Sequence, residues 1–338
     1  MVTVSLCMIV KNEERVLERC LDSIADLMDE IIIVDTGSTD RTKEIASRYT
    51  DKIYDFVWID DFAAARNFAA SKATMEYIYT ADADERLDDE NRKRFRDLKQ
   101  VLMPEIEIVQ MYYCNMGEYN TTYNFDKEYR PKLYRRQRDF VWIDSVHETL
   151  RLEPVVFDSD IEIEHRPEGN HAERDLEALY RVHKKGTRLS KKLHHMYAME
   201  LFIAGRDEDF LKAEEVFLAT MEQDGRSMDE VKEAVCVLAR CYRLKKDVHH
   251  FMTYALKDAV TDACAEVCCE LGAYYEERNE IPEAVTWYLN AATEKESIFD
   301  IRTSQIIPAQ GLARCYRELG MMEEATRWEQ TEARKAIK

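Results

Sequence analysis

The period of the apolar residues changes once along this chain, near residue 166, and that change limits the folds open to it. Before it, VTVSLCMIV (2–10), EIIIVDT (30–36), KIYDFVWI (52–59), YIYTADAD (77–84), IEIVQMYYCN (106–115) and DIEIEH (160–165) are short β-branched or aromatic runs. Several are nearly continuous in apolar residues, as strands buried on both faces are. Helical stretches lie between them. ERVLERCLDSIADLM keeps Val16, Leu17, Cys20, Leu21 and Ile24 on one stripe, and DRTKEIASRY starts behind Asp40, a good N-cap. This alternation predicts an α/β unit with a mostly parallel sheet, and ligands of such sheets bind beyond the carboxyl ends of the strands.

After residue 170 the strand signal stops and helical periodicity runs to the end. Three segments overlay: LARCYRLKKDVHHF from Leu238, LGAYYEERNEIPEA from Leu271 and LARCYRELGMMEEA from Leu312. In each a tyrosine (Tyr242, Tyr275, Tyr316) follows the leucine by four residues, and Phe251, Ala284 or Ala325 follows the tyrosine by nine. The tyrosines are 33 and 41 residues apart, close to a tetratricopeptide-type helix pair with an insertion around SIFDIRTS. A plain helical bundle is the alternative. The break at HRPEGNH places the expected boundary between domains 1–168 and 169–338.

Composition narrows the classes of function. The 338 residues carry a net charge of −19, which argues against nucleic acid or an anionic membrane as partner. Any anionic ligand must be met locally, by a metal ion or a few placed cations. No apolar run reaches the roughly 20 residues of a membrane helix. The opening strand lacks a basic flank and runs into Lys11, Asn12, Glu13 and Glu14, so it reads as a strand and not a secretion signal. Nine cysteines without paired spacing suggest reduced thiols in a cytoplasmic setting. Cys264, Cys268 and Cys269 sit at helical spacing without a histidine and read as packing.

Chemistry-bearing residues gather where strands end. Asp35 stands at the end of the second strand, before the turn Gly37–Ser38. An aspartate there suits a base or ribose. Arg66 and Asn67 fall in or near the first turn of a helix, and taken alone the arginine reads as a solvated side chain. In YIYTADADER, Asp82 and Asp84 follow an apolar run at i, i+2. On a strand they would point the same way, converging on Mg²⁺ or Mn²⁺ shared with a diphosphate. Lys132 and Arg135 precede an acid-rich segment with Asp144, His147 and Glu148, where a histidine beside a glutamate makes a candidate base and partner. His165 ends a strand at the domain boundary, a place that fits a hinge as well as a ligand.

Taken in order, KNE (11–13), VDTGSTD (34–40), ARN (65–67), DADE (82–85), KLYR (132–135), VHE (146–148) and His165 resemble the family 2 glycosyltransferases of the GT-A fold. The resemblance covers about the first half of the chain. The branch with VHE and a helical extension is similar to peptide glycosyltransferases, including those that modify bacteriocins.

The resemblance implies roles. Asp35 contacts the nucleoside, with Val10, Asn12, Glu13, Arg66, Ala83 and His147 in the nucleotide-sugar pocket. Asp84 and His165 hold Mn²⁺ or Mg²⁺, with Asp82 on ribose or metal, and Lys132 or Arg135 assists at the leaving phosphate. Glu148 is the base. Asp144 stands where relatives often have glycine, and is the second choice. The implied reaction is inverting transfer from a UDP-sugar to a peptide or protein acceptor. A lipid-linked or polysaccharide acceptor, a non-catalytic scaffold that binds UDP-sugar, and homodimerisation through the helices stay open.

Overall fold

The computed structural model describes residues 1–115, 127–137, 142–143, 149–166, 172–186, 188–259 and 263–336. The chain divides into two compact units, one holding the described residues up to Arg166 and the other those from Ala172.

The first unit is α/β. Its strands are β1 (Val4–Val10), β2 (Glu30–Asp35), β3 (Ile53–Asp55), β4 (Tyr77–Thr80), β5 (Glu85–Arg86), β6 (Ile108–Asn115), β7 (Lys127–Arg135), β8 (Trp142–Ile143), β9 (Thr149–Leu150) and β10 (Val156–His165). Its helices are α1 (Leu17–Ile24), α2 (Thr42–Ala46), α3 (Phe62–Lys72) and α4 (Asp89–Val101). Eight strands form one sheet in the order β3-β2-β1-β4-β7-β6-β10-β5, and β8 pairs with β9 apart from it. The side chains of β1 alternate between its faces. Leu6 and Met8 join the core with Leu17, Leu21 and Phe95, whereas Cys7 packs with Ile32, Ala69 and Ile78 on the other side.

The sheet is mostly parallel, as expected, with six of its eight strands running one way and β5 and β7 running against them. Strands β3, β2, β1 and β4 run parallel, but β7 is antiparallel to both β4 and β6. The sequence reading had no strand over 127–135. KEYRPKLYR mixes charges with aromatics and contains Pro131, which ordinarily argues against an interior strand. Pro131 faces Gln110 where the register shifts, so the missing N–H falls at an irregularity in the ladder. The third predicted strand is short, ending at Asp55, with Phe56–Ile59 outside it.

Glu30 pins the end of the sheet remote from the strands' carboxyl termini. Its buried carboxylate accepts from Ser5 Oγ (2.5 Å), Lys52 Nζ (2.6 Å), Thr74 N (2.8 Å) and Thr74 Oγ1 (3.0 Å). Burial pushes this carboxyl up, yet Lys52, Ser5 and Thr74 together hold it down at about 2, from an ordinary 4.5. A depressed folded pKa stabilises above the unfolded value. The contribution, about 3 kcal/mol, is therefore expected in full above pH 4.5 and to fade as pH falls toward 2. Urea titrations at pH 7 and pH 3 should show Glu30→Gln shrinking the difference between the two.

The second unit is all-α: α5 (Ala172–Lys184), α6 (Lys191–Ala204), α7 (Asp207–Glu222), α8 (Met228–Leu244), α9 (Val248–Ala259), α10 (Ala265–Glu277), α11 (Ile281–Leu289), α12 (Arg302–Gln305), α13 (Ile307–Glu318) and α14 (Met322–Ala336). The three overlaid segments are three helix–turn–helix units with one turn geometry. Lys246, Asn279 and Gly320 adopt φ of 58°, 62° and 75°, and the next residue donates its N–H to the carbonyl of Tyr242, Tyr275 or Tyr316 at 2.9–3.0 Å. That bond closes a Schellman cap, so each tyrosine marks the same point of its turn. Phe251, Ala284 and Ala325 are buried in the partner helices. The insertion at 297–304 is held by the buried Glu266 carboxylate, which accepts from the N–H groups of Ile298, Phe299 and Asp300.

Close approach explains two glycines. The Tyr288 ring lies between Gly272 and Gly311, where an added Cβ would come within 2.7 and 2.5 Å of it, and its hydroxyl donates to Glu276 at 2.8 Å. With both faces covered and the hydroxyl bonded, the ring has nowhere to go. Gly311→Ala is expected to destabilise this unit by about 1–3 kcal/mol, the usual range of an overpacked core, and thermal unfolding of the full chain measures it. All nine cysteines are free and buried, and Cys264, Cys268 and Cys269 sit in apolar packing.

Candidate functional site

The carboxyl ends of β1 and β2 lead into two loops that hydrogen-bond to each other. Asn12, at φ 57°, accepts through Oδ1 from Thr39 N (2.8 Å), and its own N–H donates to Ser38 Oγ (2.9 Å). Glu13 N donates to Thr42 Oγ1 (2.7 Å), and Val10 O accepts from Thr36 N (3.0 Å). Asp40 stands one position ahead of its expected place, since Arg41 is the N-cap of α2, and it accepts from Thr42 N at 3.0 Å. Asp35, 1% exposed, uses Oδ1 to accept from the N–H groups of Gly37 and Ser38, both at 2.9 Å. Gly37 sits at φ 104°, a conformation only glycine takes without strain. The other Asp35 oxygen, Oδ2, is buried with no hydrogen-bond partner among the described residues. Orphaned buried acceptors are rare in native proteins, and a ligand N–H or O–H arriving there would satisfy this one.

Asp82 and Asp84 lie in a turn and not on the strand, which corrects the argument that alternation aims them alike. β4 ends at Thr80, and Glu85 N closes the turn on Asp82 O at 3.1 Å. The two carboxylates take different partners. Asp82 Oδ1 accepts from Arg66 Nη2 at 2.9 Å, and Arg66 lies one turn into α3. Burial pushes the Asp82 carboxyl up, but Lys132 and Arg66 outweigh it and hold the group below the usual aspartate value. Ala83 is buried between the two acids.

Asp84 meets His165. The two-residue β5 runs antiparallel to the end of β10, with Glu85 opposite His165, so the residue before Glu85 lies beside the histidine. Asp84 Oδ2 is 3.0 Å from His165 Nε2, and Asp84 O accepts from Arg166 N at 3.0 Å. Both side chains keep some exposure, 16% and 23%. A hard carboxylate oxygen and an imidazole nitrogen this close fit a shared divalent cation such as Mn²⁺. The Tyr113 ring packs on His165, centroids 4.9 Å apart, and the Arg130 guanidinium lies 3.8 Å from the Tyr113 centroid.

Glu85 turns inward. Its Oε1 accepts from Lys132 Nζ at 2.7 Å, and both side chains are almost fully buried. Burial pushes Glu85 up to about 7 while Lys132 pulls it the other way. Lys132 is thus committed beneath the turn instead of facing a leaving group. Arg135 is a plainer correction. It pairs with Tyr77 at the start of β4, the end remote from Asp82 and Asp84, and donates to Pro104 O at 3.0 Å. Since β7 runs antiparallel to β4, its earlier residues reach the carboxyl end, and Lys127, Arg130 and Lys132 are its cations toward that side. The sequence reading missed Arg130 and Tyr113, and no local signal marks either. Asp144, His147 and Glu148 lie outside the described residues. Among the described residues no three of His, Cys, Asp or Glu form a metal cage.

Residues 5–152 match the family model Glycosyl transferase family 2. A "TPR repeat-containing protein" of Synechococcus elongatus is 52% identical over 87 residues, 26% of this chain and 22% of that protein. The SPbeta prophage-derived glycosyltransferase SunS of Bacillus subtilis is 37% identical over 102 residues, 30% of this chain and 24% of SunS. The matched stretch is thus about a quarter of each relative's length. Among solved structures, TarS 1–349 of S. aureus aligns with 85% of this chain and 90% of its own, at 13% identity and a TM-score of 0.37. The chain carries a family 2 glycosyltransferase domain, followed by a region built of helices.

Proposed function

We propose that this protein is a metal-dependent inverting glycosyltransferase that moves a sugar from a UDP-sugar to a peptide or protein acceptor in a single displacement. The observation that carries the reading is the pairing of Asp84 with His165 at 3.0 Å beside the Arg66–Asp82 ion pair. Hard divalent cations are commonly held by one or two protein groups plus substrate phosphates, and two donors fit that mode. Bound there, Mn²⁺ or Mg²⁺ would offset the charge that grows on the leaving diphosphate. Asp35, through its orphaned Oδ2, takes the nucleoside, with Val10, Asn12 and Glu13 on the adjoining loops. Arg66 orients Asp82 toward the ribose. Glu148 removes the acceptor proton, a contribution of about a hundredfold or more, and Asp144 is the alternative base. Direct displacement with no covalent intermediate inverts the sugar carbon.

The test uses the full chain with UDP-glucose or UDP-N-acetylglucosamine, Mn²⁺ and mixed peptides, reading UDP release. Metal-dependent release is expected, reduced by Glu148→Gln about a hundredfold. An α-linked donor should give a β-linked product by NMR. Absence of release with every UDP-sugar, together with absence of Mn²⁺-dependent UDP binding, would sink the reading.

A further inference from the structure

Four large apolar side chains stand together where β3 leads into α3. Val57 is 84% exposed, Ile59 55% and Phe62 45%. Trp58 leans edge-on against Phe62, ring centroids 4.7 Å apart. The loop is built to hold them there. Asp60, at φ 58°, accepts from Trp58 Nε1 at 3.0 Å, and Asp61 caps α3 by accepting from Ala64 N at 2.9 Å. Exposed apolar side chains scattered singly need no explanation, but a contiguous group on an ordered loop marks a contact surface.

Its position is specific. β3 is parallel to β2 with Asp55 opposite Asp35, and Phe56 N donates to Asp35 O at 2.9 Å, so the loop begins beside the orphaned acceptor. At its other end, Phe62 and Arg66 are four apart on α3 and share a face, and Arg66 touches Asp82. The ledge therefore runs along the proposed donor site.

Charge selects the occupant. Between residues 53 and 65 the only charged side chains are Asp55, Asp60 and Asp61, and Asp55 is paired with Lys43. Asp61, exposed at the N-cap of α3, gives the apolar face an acidic rim. In a chain of net charge −19, that rim repels anionic lipid and a second copy alike.

We propose that this ledge is an acceptor subsite, which takes a stretch of polypeptide with apolar side chains beside a lysine or arginine. The proposal rests on the glycosyltransferase reading and adds the acceptor's chemistry to it. The test measures fluorescence anisotropy of two labelled synthetic peptides with the full chain. The peptides share tyrosine, leucine and serine and differ in carrying lysines or glutamates.

The lysine peptide is expected to bind about tenfold tighter or more, to weaken with added salt, and to lose about tenfold on Val57→Ser with Ile59→Ser. Both residues are exposed, and the melting temperature checks that the variant folds. Equal binding of the two peptides, or affinity unmoved by the double substitution, overturns the proposal. So does self-association, or sedimentation with phosphatidylcholine vesicles, that the substitution abolishes. UDP release in the absence of peptide reads the donor site separately, so failure of the ledge and failure of the glycosyltransferase reading are told apart.

Discussion

Lys132→Met is expected to destabilise the α/β unit by about 3–5 kcal/mol, the range found when one partner of a buried ion pair is removed. Lys132 and Glu85 keep 7% and 2% of their side-chain surface exposed, and the Nζ–Oε1 distance is 2.7 Å. Around the ammonium stand the rings of Tyr79 and Tyr113, with centroids 5.8 and 5.9 Å away. Methionine fills this space but leaves Glu85 without its counter-charge. Glu85 Oε2 already lacks a hydrogen-bond partner among the described residues, and Asp82 and Asp84 both oppose the ionised form.

The loss should therefore come from an uncompensated carboxylate and not from the missing attraction alone. Lys132→Met combined with Glu85→Leu removes both charges and is expected to recover most of it. Urea unfolding of the two variants beside the parent measures this. If the single substitution costs under about 1 kcal/mol, the pair behaves as a solvent-screened one and the argument fails. Because Glu85 directly follows Asp84, the pair also fixes the turn from below.

What the sequence disclosed of this site follows from what each residue's neighbours are in the chain. β1, β2 and β4 are legible because they are buried on both faces and so run nearly unbroken in apolar residues. β7 is hidden because its burial is set by insertion between β4 and β6, which its own alternation of charged and aromatic residues does not announce. Without that strand its direction is unknown, and Arg135 and Arg130 cannot be told apart as to which end of the sheet they serve. Asp84 and His165 are 81 positions apart and meet through β5, two residues long and without a pattern of its own. The spacing of Asp82 and Asp84 pointed to a cation, but only the order of landmarks across the family joined His165 to it. The helical repeat shows the same divide. Tyr242, Tyr275 and Tyr316 are visible as a period, but of the three left-handed turn residues only Gly320 is a glycine, while Lys246 and Asn279 take the conformation because the cap geometry imposes it.

Asp84→Asn and His165→Ala are each expected to weaken Mn²⁺ binding by about 10- to 100-fold, the scale of losses when groups in or around a metal site are removed. On the proposed assignment these two side chains are the protein's share of the cation, and both reach it from one point, where β5 closes against β10. Asparagine preserves the shape of Asp84 and removes its charge, so the loss reports electrostatics and not packing. Alanine at 165 also removes the ring that Tyr113 packs against, so its melting temperature must be compared with that of His165→Gln. Sugar transfer should fall by about 10² to 10³ with either change, because the diphosphate then leaves with its charge unmet. Arg66→Ala gives the contrast. Arg66 touches Asp82 and not Asp84, so it should weaken UDP binding while leaving Mn²⁺ affinity within about twofold, as independent sites do. Manganese affinity followed by electron paramagnetic resonance, with UDP present and absent, separates the two effects. Unchanged Mn²⁺ affinity in Asp84→Asn and in His165→Ala would move the cation elsewhere, and the 3.0 Å contact would then be an ordinary hydrogen bond closing the sheet's edge.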